Sequence, residues 1–285
     1  MSGERSVRVG IRVHQPSLDT GDLTRDGVCP AYRGADTHPS GCDRAYDFDW
    51  TFDYVSSQRS IYSAVCEPLV PLVFAGYSAT VIAHGPSGSG KSHTLGISDG
   101  SLSAGIIPFC IQGIFASREK LSGRGEGVEV RVSCMEVYNG GCYDLIANKR
   151  KKLYIHKNRK GLTCVIGNTC LVVGDEMEAK TYLREALRLR VDSGQSSRSH
   201  VVFKFMVRSA VVNNVRLLGE LCIVDMADSA NFGEVQQTHS VQLQPNTGKY
   251  LTPPIVCDML SSRFRGNGTV PSHKYLLFYS CRWWQ

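Results

Sequence analysis

The chain has 285 residues, 42% of them hydrophobic, so it can bury the core of one large α/β domain or of two smaller ones. Charged residues make up 20% and the formal net charge is +6, a balance that suits an acidic partner and equally an ordinary mildly basic soluble protein. Eleven cysteines with no CxxC pair argue for buried thiols, Cys134 and Cys222 among them, and against a disulfide frame or zinc site; no secretory signal and no apolar run of roughly 20 residues is present, so a cytoplasmic location without a membrane span is expected.

In chain order, Val7 to Val13 alternates basic and apolar residues and predicts a half-exposed strand. Residues 17–45, rich in Gly, Pro, Asp and Ser, predict a long loop. Ile61 to Phe74 has apolar residues at helical spacing, and Thr80 to Ala83 is a short β-branched run suited to a buried strand. Val128 to Tyr138 alternates and predicts another strand. Residues 175–190 predict the clearest helix: Asp175 and Glu178 stand at capping-box spacing, Leu183 and Leu187 lie one turn apart, and Arg188 and Arg190 suit the negative C-terminal end. Strands follow at Val201 to Val207 and at Leu218 to Val224, the latter ending on Asp225. Alternation of strands and helices favours a mainly parallel or mixed sheet covered on both faces, with Ile82, Cys134, Val137, Phe203, Phe205, Cys222 and Val224 in its core.

The predicted buried strand runs straight into GPSGSGKS at 85–92, a full match to GxxxxGK[ST]. Gly85, Pro86, Ser87, Gly88, Ser89 and Gly90 form the loop, and its glycines let backbone N–H groups turn toward phosphate oxygens where a Cβ would obstruct them. Lys91 supplies a cation for the β/γ-phosphates, and the Ser92 hydroxyl is a Mg²⁺ ligand. SSRSH at 196–200 offers small hydroxyls that could reach Mg²⁺ or the γ-phosphate, although alone it reads as a polar turn. Asp225 closes the apolar strand LCIVD, the usual place of an acid that holds Mg²⁺ through water, although many strands end in Asp.

The order of these three motifs resembles the kinesin motor-domain family. GPSGSGKSHTL looks like its P-loop, SSRSH like its switch I and DMADSA like an altered form of its switch II, DLAGSE. YDFDWTFDYVSSQRSIYSAVCEPLV, GIIPFCIQGIF and MEVYNGGCYDLI agree with further family segments, and the resemblance covers roughly residues 5–278. KLYIHKNRKGLTCVIG and PLVPLVFAGYSATVIAHG look most like the internal-motor, microtubule-depolymerising kinesins, but the Lys-Val-Asp finger of those proteins is missing from 17–45.

The resemblance implies an α/β P-loop NTPase fold with a kinesin-motor-like central mixed sheet flanked by helices, as a single domain over 1–285. It implies ATP and Mg²⁺ as cofactors, microtubules or tubulin as partner, a cytoskeletal location and no role for nucleic acid. Site residues carried over are Ser196, Ser197, Arg198 and Asp225 for catalysis, and Ser92, Ser197 and Asp225 for the metal. Arg12, His14 and Pro16 would face the base, in place of the family's RxRP, and His93 joins the nucleotide-binding set with the loop.

Departures from the family pattern imply impaired hydrolysis. Ser193 stands at the family's switch I Asn. Asp228 replaces a glycine whose N–H senses the γ-phosphate; two unit charges about 4 Å apart repel by roughly 4 kcal/mol at an effective dielectric near 20. Ala230 replaces the glutamate that pairs with the switch I arginine, here Arg198. Asn246 to Lys249 resembles the start of the family's microtubule-binding helix, but Pro253 and Pro254 follow, each costing about 3 kcal/mol in a helix interior. Val270 to Leu277 resembles VPYRDSKLTRLL without most of its basic residues, and the last central strand and closing helix are expected to be missing. The basic stretch 149–160 could contact an acidic surface or be a solvated loop. Two functions remain open: a microtubule motor with altered switch II, or a non-catalytic module that holds nucleotide or tubulin. A P-loop NTPase of another class is disfavoured by SSRSH lying between the P-loop and LCIVD.

Overall fold

Apolar, β-branched runs supply most of the strands, and the helices fill the connections between them. In chain order the elements are β1 (Val7–Val13), β2 (Trp50–Phe52), α1 (Gln58–Val65), α2 (Leu69–Phe74), β3 (Ser78–His84), α3 (Lys91–Leu95), β4 (Ile97–Ser98), β5 (Ser101–Leu102) and α4 (Ile106–Ser122). They continue with β6 (Glu129–Tyr138), β7 (Gly141–Asp144), β8 (Lys151–Lys157), β9 (Thr163–Ile166), β10 (Leu171–Val173), α5 (Glu176–Asp192), β11 (His200–Val212), β12 (Val215–Asp225) and β13 (Lys274–Cys281). The computed structural model describes residues 7–13, 48–85, 88–98, 101–122, 127–139, 141–147, 150–157, 163–192, 198–212, 215–227 and 274–281. The expected loop 17–45, the changes at Ser193, Asp228 and Ala230, and the segments 246–249 and 253–254 lie outside the described residues.

One mixed sheet runs β2-β1-β13-β3-β12-β11-β6-β7-β8-β9, with β10 also paired to β6. Strands β2, β1, β13, β3 and β12 pair in parallel, whereas β12 to β11 and every pair beyond it is antiparallel. This is the expected kinesin-type, P-loop α/β architecture. One expectation is corrected: the position of a last central strand is filled. Lys274–Cys281 lies between β1 and β3, parallel to both, and its backbone completes the ladder that those two strands would otherwise leave open.

Strand β3, between parallel neighbours, is buried from Ser78 to Ala83, where Ala79, Val81, Ile82 and Ala83 are apolar and Ser78 and Thr80 are polar. On one face Ile61, Val73, Ile111 and Leu183 from the helices pack against Val81, Cys134, Phe203 and Phe205. The other face carries Ile82, Val137, Val202, Cys222 and Val224. All seven core residues expected from the sequence are buried. Strand alternation divides them between the two layers.

The apolar stretch 61–74 is two helices rather than one. Ser57 caps α1 by accepting from the Ser60 N–H, and α2 begins again after Pro68, whose missing N–H and ring oppose a continuous helix. Helix α2 then ends directly against the sheet at Gly219, where an added Cβ would lie 1.8 Å from the Val73 carbonyl oxygen. In α5 the cap forms as expected, with Asp175 Oδ1 accepting from the Glu178 N–H at 2.8 Å, but Glu178 Oε2 accepts from the Gly174 N–H, one residue earlier than a standard capping box. Ala179, Leu183 and Ala186 form the buried stripe of α5, and the next position on that stripe is Arg190.

Candidate functional site

The C-terminal ends of β3 and β12 lie side by side, with Asp225 opposite Ala83 and the Met226 N–H bonded to the Ala83 carbonyl at 3.1 Å. Because β11 is antiparallel to β12, its first residues arrive at the same end, with Val201 opposite Asp225. Three segments far apart in sequence therefore converge where parallel α/β sheets generally bind ligands.

The first is the glycine-rich loop. Gly88 (φ 70°) and Gly90 (φ 86°) occupy the left-handed region that glycine enters without a Cβ penalty, and α3 starts immediately after. Lys91 is buried and its Nζ donates to the Gly85 carbonyl at 2.9 Å, folding the side chain back over the loop. Ser92 and His93 are exposed beside it, Ser89 is buried, and Pro86 and Ser87 lie outside the described residues. Thr94 Oγ1 donates to the Gly90 carbonyl and accepts from Arg12 Nη1 at 2.8 Å, while Arg12 Nη2 donates to the Ser56 carbonyl at 3.1 Å. Arg12 is thus buried against α3, and that burial lowers its pKa. His14 and Pro16 lie outside the described residues.

The second and third segments are SSRSH and the end of β12. Ser196 and Ser197 lie outside the described residues and Arg198 is exposed. Ser199 is buried and held by Arg190, whose Nη2 donates to its carbonyl at 2.9 Å and whose Nε donates to its Oγ at 3.3 Å. Arg190 Nη1 also donates to Asp225 Oδ2 at 2.9 Å, a pair with both side chains almost fully enclosed. His200 Nδ1 accepts from the Ala227 N–H at 3.1 Å, which requires an unprotonated nitrogen. Burial first, then Arg190 and His84, push the His200 pKa down to about 4, so the ring is neutral at pH 7. Burial and Lys91 also lower the pKa of His84, at the end of β3.

The donor set fits a hydrated Mg²⁺. Asp225 Oδ1 is buried without a hydrogen-bond partner among the described residues, which suits an acceptor facing a metal-bound water, and Ser92 offers an exposed hydroxyl at the loop. Of the sequence-derived set, Gly85, Gly88, Ser89, Gly90, Lys91, Ser92 and His93 are thus joined at one sheet end by Asp225. Sequence reasoning missed Arg190 as the tie between Asp225 and Ser199, and missed the His200–Ala227 bond. Arg190 carried a usable signal, because a cation on the buried stripe of a helix needs a buried partner.

The family model described as Kinesin motor domain matches residues 30–247, a span that includes all three converging segments. Kinesin-like protein klp-19 of Caenorhabditis elegans is 31% identical over 243 residues, covering 80% of this chain and 22% of that protein. Kinesin-like protein 3 of Schizosaccharomyces pombe is 30% identical over 238 residues, covering 80% of this chain and 43% of that protein. Chromosome-associated kinesin KIF4B of Homo sapiens is 30% identical over 203 residues, covering 66% and 16% respectively. The chain spans less than half the length of each of these relatives. No helix among the described residues is long and apolar enough to cross a membrane.

Proposed function

This chain belongs to the kinesin motor-domain family, and from that premise we propose that it is a microtubule-associated motor domain, one unit over 1–285, that binds ATP and Mg²⁺ through residues 85–92 and hydrolyses ATP slowly. The convergence of the loop, Ser199–His200 and Asp225 at one sheet end is the observation that carries the reading. Gly88 and Gly90 shape the cradle, Lys91 supplies its cation, and Ser92 with Asp225 would hold the metal, Asp225 through water. Bound Mg²⁺ would neutralise charge developing on the phosphates. Within the chain, Arg190 fixes both Asp225 and Ser199, and neutral His200 ties the start of β11 to Ala227.

Slow turnover follows from the substitutions in switch II. Phosphoryl transfer depends on positioning and charge stabilisation, so a displaced sensor lowers the rate even where nucleotide binds. Asp228 adds negative charge at a γ-phosphate sensor, and Ala230 removes the carboxylate that the family pairs with the arginine found here at Arg198. These two residues also favour the second reading, a nucleotide- or tubulin-binding module without turnover. ATP turnover of this chain with and without microtubules separates the two: slow but microtubule-dependent hydrolysis supports the motor, and no hydrolysis with retained nucleotide binding supports the module. Rapid turnover strongly stimulated by microtubules would overturn the account of switch II.

A further inference from the structure

Two buried acids away from the phosphate loop, Glu136 on β6 and Asp144 on β7, hold the same neighbouring element. Asp144 ends β7; its Oδ1 accepts from the Ile146 N–H at 2.8 Å, and its Oδ2 accepts from the Thr169 N–H at 2.6 Å, shortly after β9. Glu136 Oε2 accepts from Arg150 Nε at 2.8 Å, just before β8, and the Arg150 guanidinium lies 3.7 Å from the ring centroid of Tyr143. Both ends of the β8–β9 hairpin are therefore fixed to the sheet by enclosed carboxylates. Between those ends Leu153 packs into the core, whereas Lys151, Lys152, Tyr154 and Ile166 are exposed. Tyr154 and Ile166 are cross-strand partners, 74% and 53% exposed, and alternation puts Lys152 on their face. Neither strand, KKLYIHK or TCVI, contains an acid. Desolvation offsets much of what a buried ion pair contributes to stability, so its main consequence here is a fixed hairpin geometry.

We propose that Glu136 and Asp144 are positioning residues for partner binding: they hold the β8–β9 hairpin in one attitude, with its lysines and the Tyr154–Ile166 pair presented to an acidic protein surface. The inference rests on the motor-domain reading above, on which that surface belongs to the microtubule. A hairpin that is already ordered loses less conformational entropy on docking, so loosening either end weakens partner binding without touching the nucleotide loop.

The test is co-sedimentation of the full chain with stabilised microtubules at low and high salt, beside titration with a fluorescent ATP analogue. Lys151→Ala with Lys152→Ala should weaken microtubule binding at least about tenfold at low salt and flatten its salt dependence. Glu136→Gln keeps the shape and removes the charge that holds Arg150. It should weaken microtubule binding about fivefold, the effect of about one hydrogen bond, and leave the ATP analogue within about twofold. Asp144→Asn should behave alike. In the two-lysine background Glu136→Gln should add nothing, because its effect passes through the hairpin. Amides of β8 should exchange faster in Glu136→Gln while those of β3 and β12 stay unchanged. Tyr143→Leu, which removes the face under Arg150, repeats the test should Glu136→Gln fold poorly. Unchanged microtubule affinity in Glu136→Gln, an undiminished loss in the two-lysine background, or equal losses of ATP and microtubule binding would each overturn the proposal. A wild-type chain that does not sediment with microtubules would refute the motor-domain reading and this inference with it. Sedimentation that survives both the lysine changes and Glu136→Gln would refute the role of the hairpin alone.

Discussion

Removing Arg190 should be among the most damaging single changes outside the phosphate loop. The side chains of Arg190 and Asp225 are only 7% and 3% exposed, so solvent screens their attraction little and hydrates neither ion once the other is gone. Arg190→Met leaves the Asp225 carboxylate buried and unpaired, and breaking a buried pair from one side costs about 3–5 kcal/mol. The same change removes two donors to Ser199, so the upper part of that range is expected. A loss of this size is a large share of the 5–15 kcal/mol typical of a folded domain. Arg190→Met combined with Asp225→Asn removes both charges and should recover at least about 1 kcal/mol relative to Arg190→Met alone. Urea unfolding followed by circular dichroism measures each variant, with an unchanged slope required before midpoints are compared. If Arg190→Met stayed within about 1 kcal/mol of the wild type, the pair would not be a buried tie and the account of Asp225 would be wrong.

Lys91→Ala should weaken a fluorescent ATP analogue at least tenfold, because a charge-assisted contact worth about 1.5–3 kcal/mol is lost; equal affinities in equilibrium titrations would remove the loop from the site. His200 makes stability fall with acid. Its folded pKa is about 4 against an unfolded value of 6.5, so the native state binds fewer protons in that window. The stability it contributes, about 3 kcal/mol, is complete above pH 6.5 and is lost as pH falls toward 4. In urea titrations from pH 7 to 4, His200→Gln should flatten that decline, and an identical decline in the variant would count against the neutral ring. Gly219→Ala drives a methyl group into the Val73 carbonyl and should cost about 1–3 kcal/mol in the same unfolding assay. Asp228→Gly with Ala230→Glu should raise ATP turnover more than either change alone, since both act on one latch; additive effects in steady-state assays would show that they act separately.

The glycine-rich loop, the buried strand before it and the strand-terminal Asp225 were legible in the sequence because each depends on local chemistry: φ > 0 at glycine, a β-branched run, an acid at a strand end. The α5 helix was legible for the same reason, through its cap and its apolar spacing. The split at Pro68 was visible as a residue type but was outweighed by the apolar periodicity on either side of it. The division of the core into two layers follows from alternation, yet which layer each strand face joins depends on where the helices pack.

Sequence by itself determined the family, the fold class and the loop, because motifs read in order survive wide divergence in the residues between them. Only the tertiary structure decided that Lys274–Cys281 completes the sheet between β1 and β3, that Arg190 closes on Asp225 and Ser199, and that Gln58 reaches His93. Apart from Arg190 and Ser199, nine positions apart, these contacts join residues 35 or more positions apart, where no propensity or spacing rule specifies a partner. Strand order and helix packing bring them within reach, and for β13 and Arg190 the cost of leaving a backbone group or a buried charge unpaired then selects the contact.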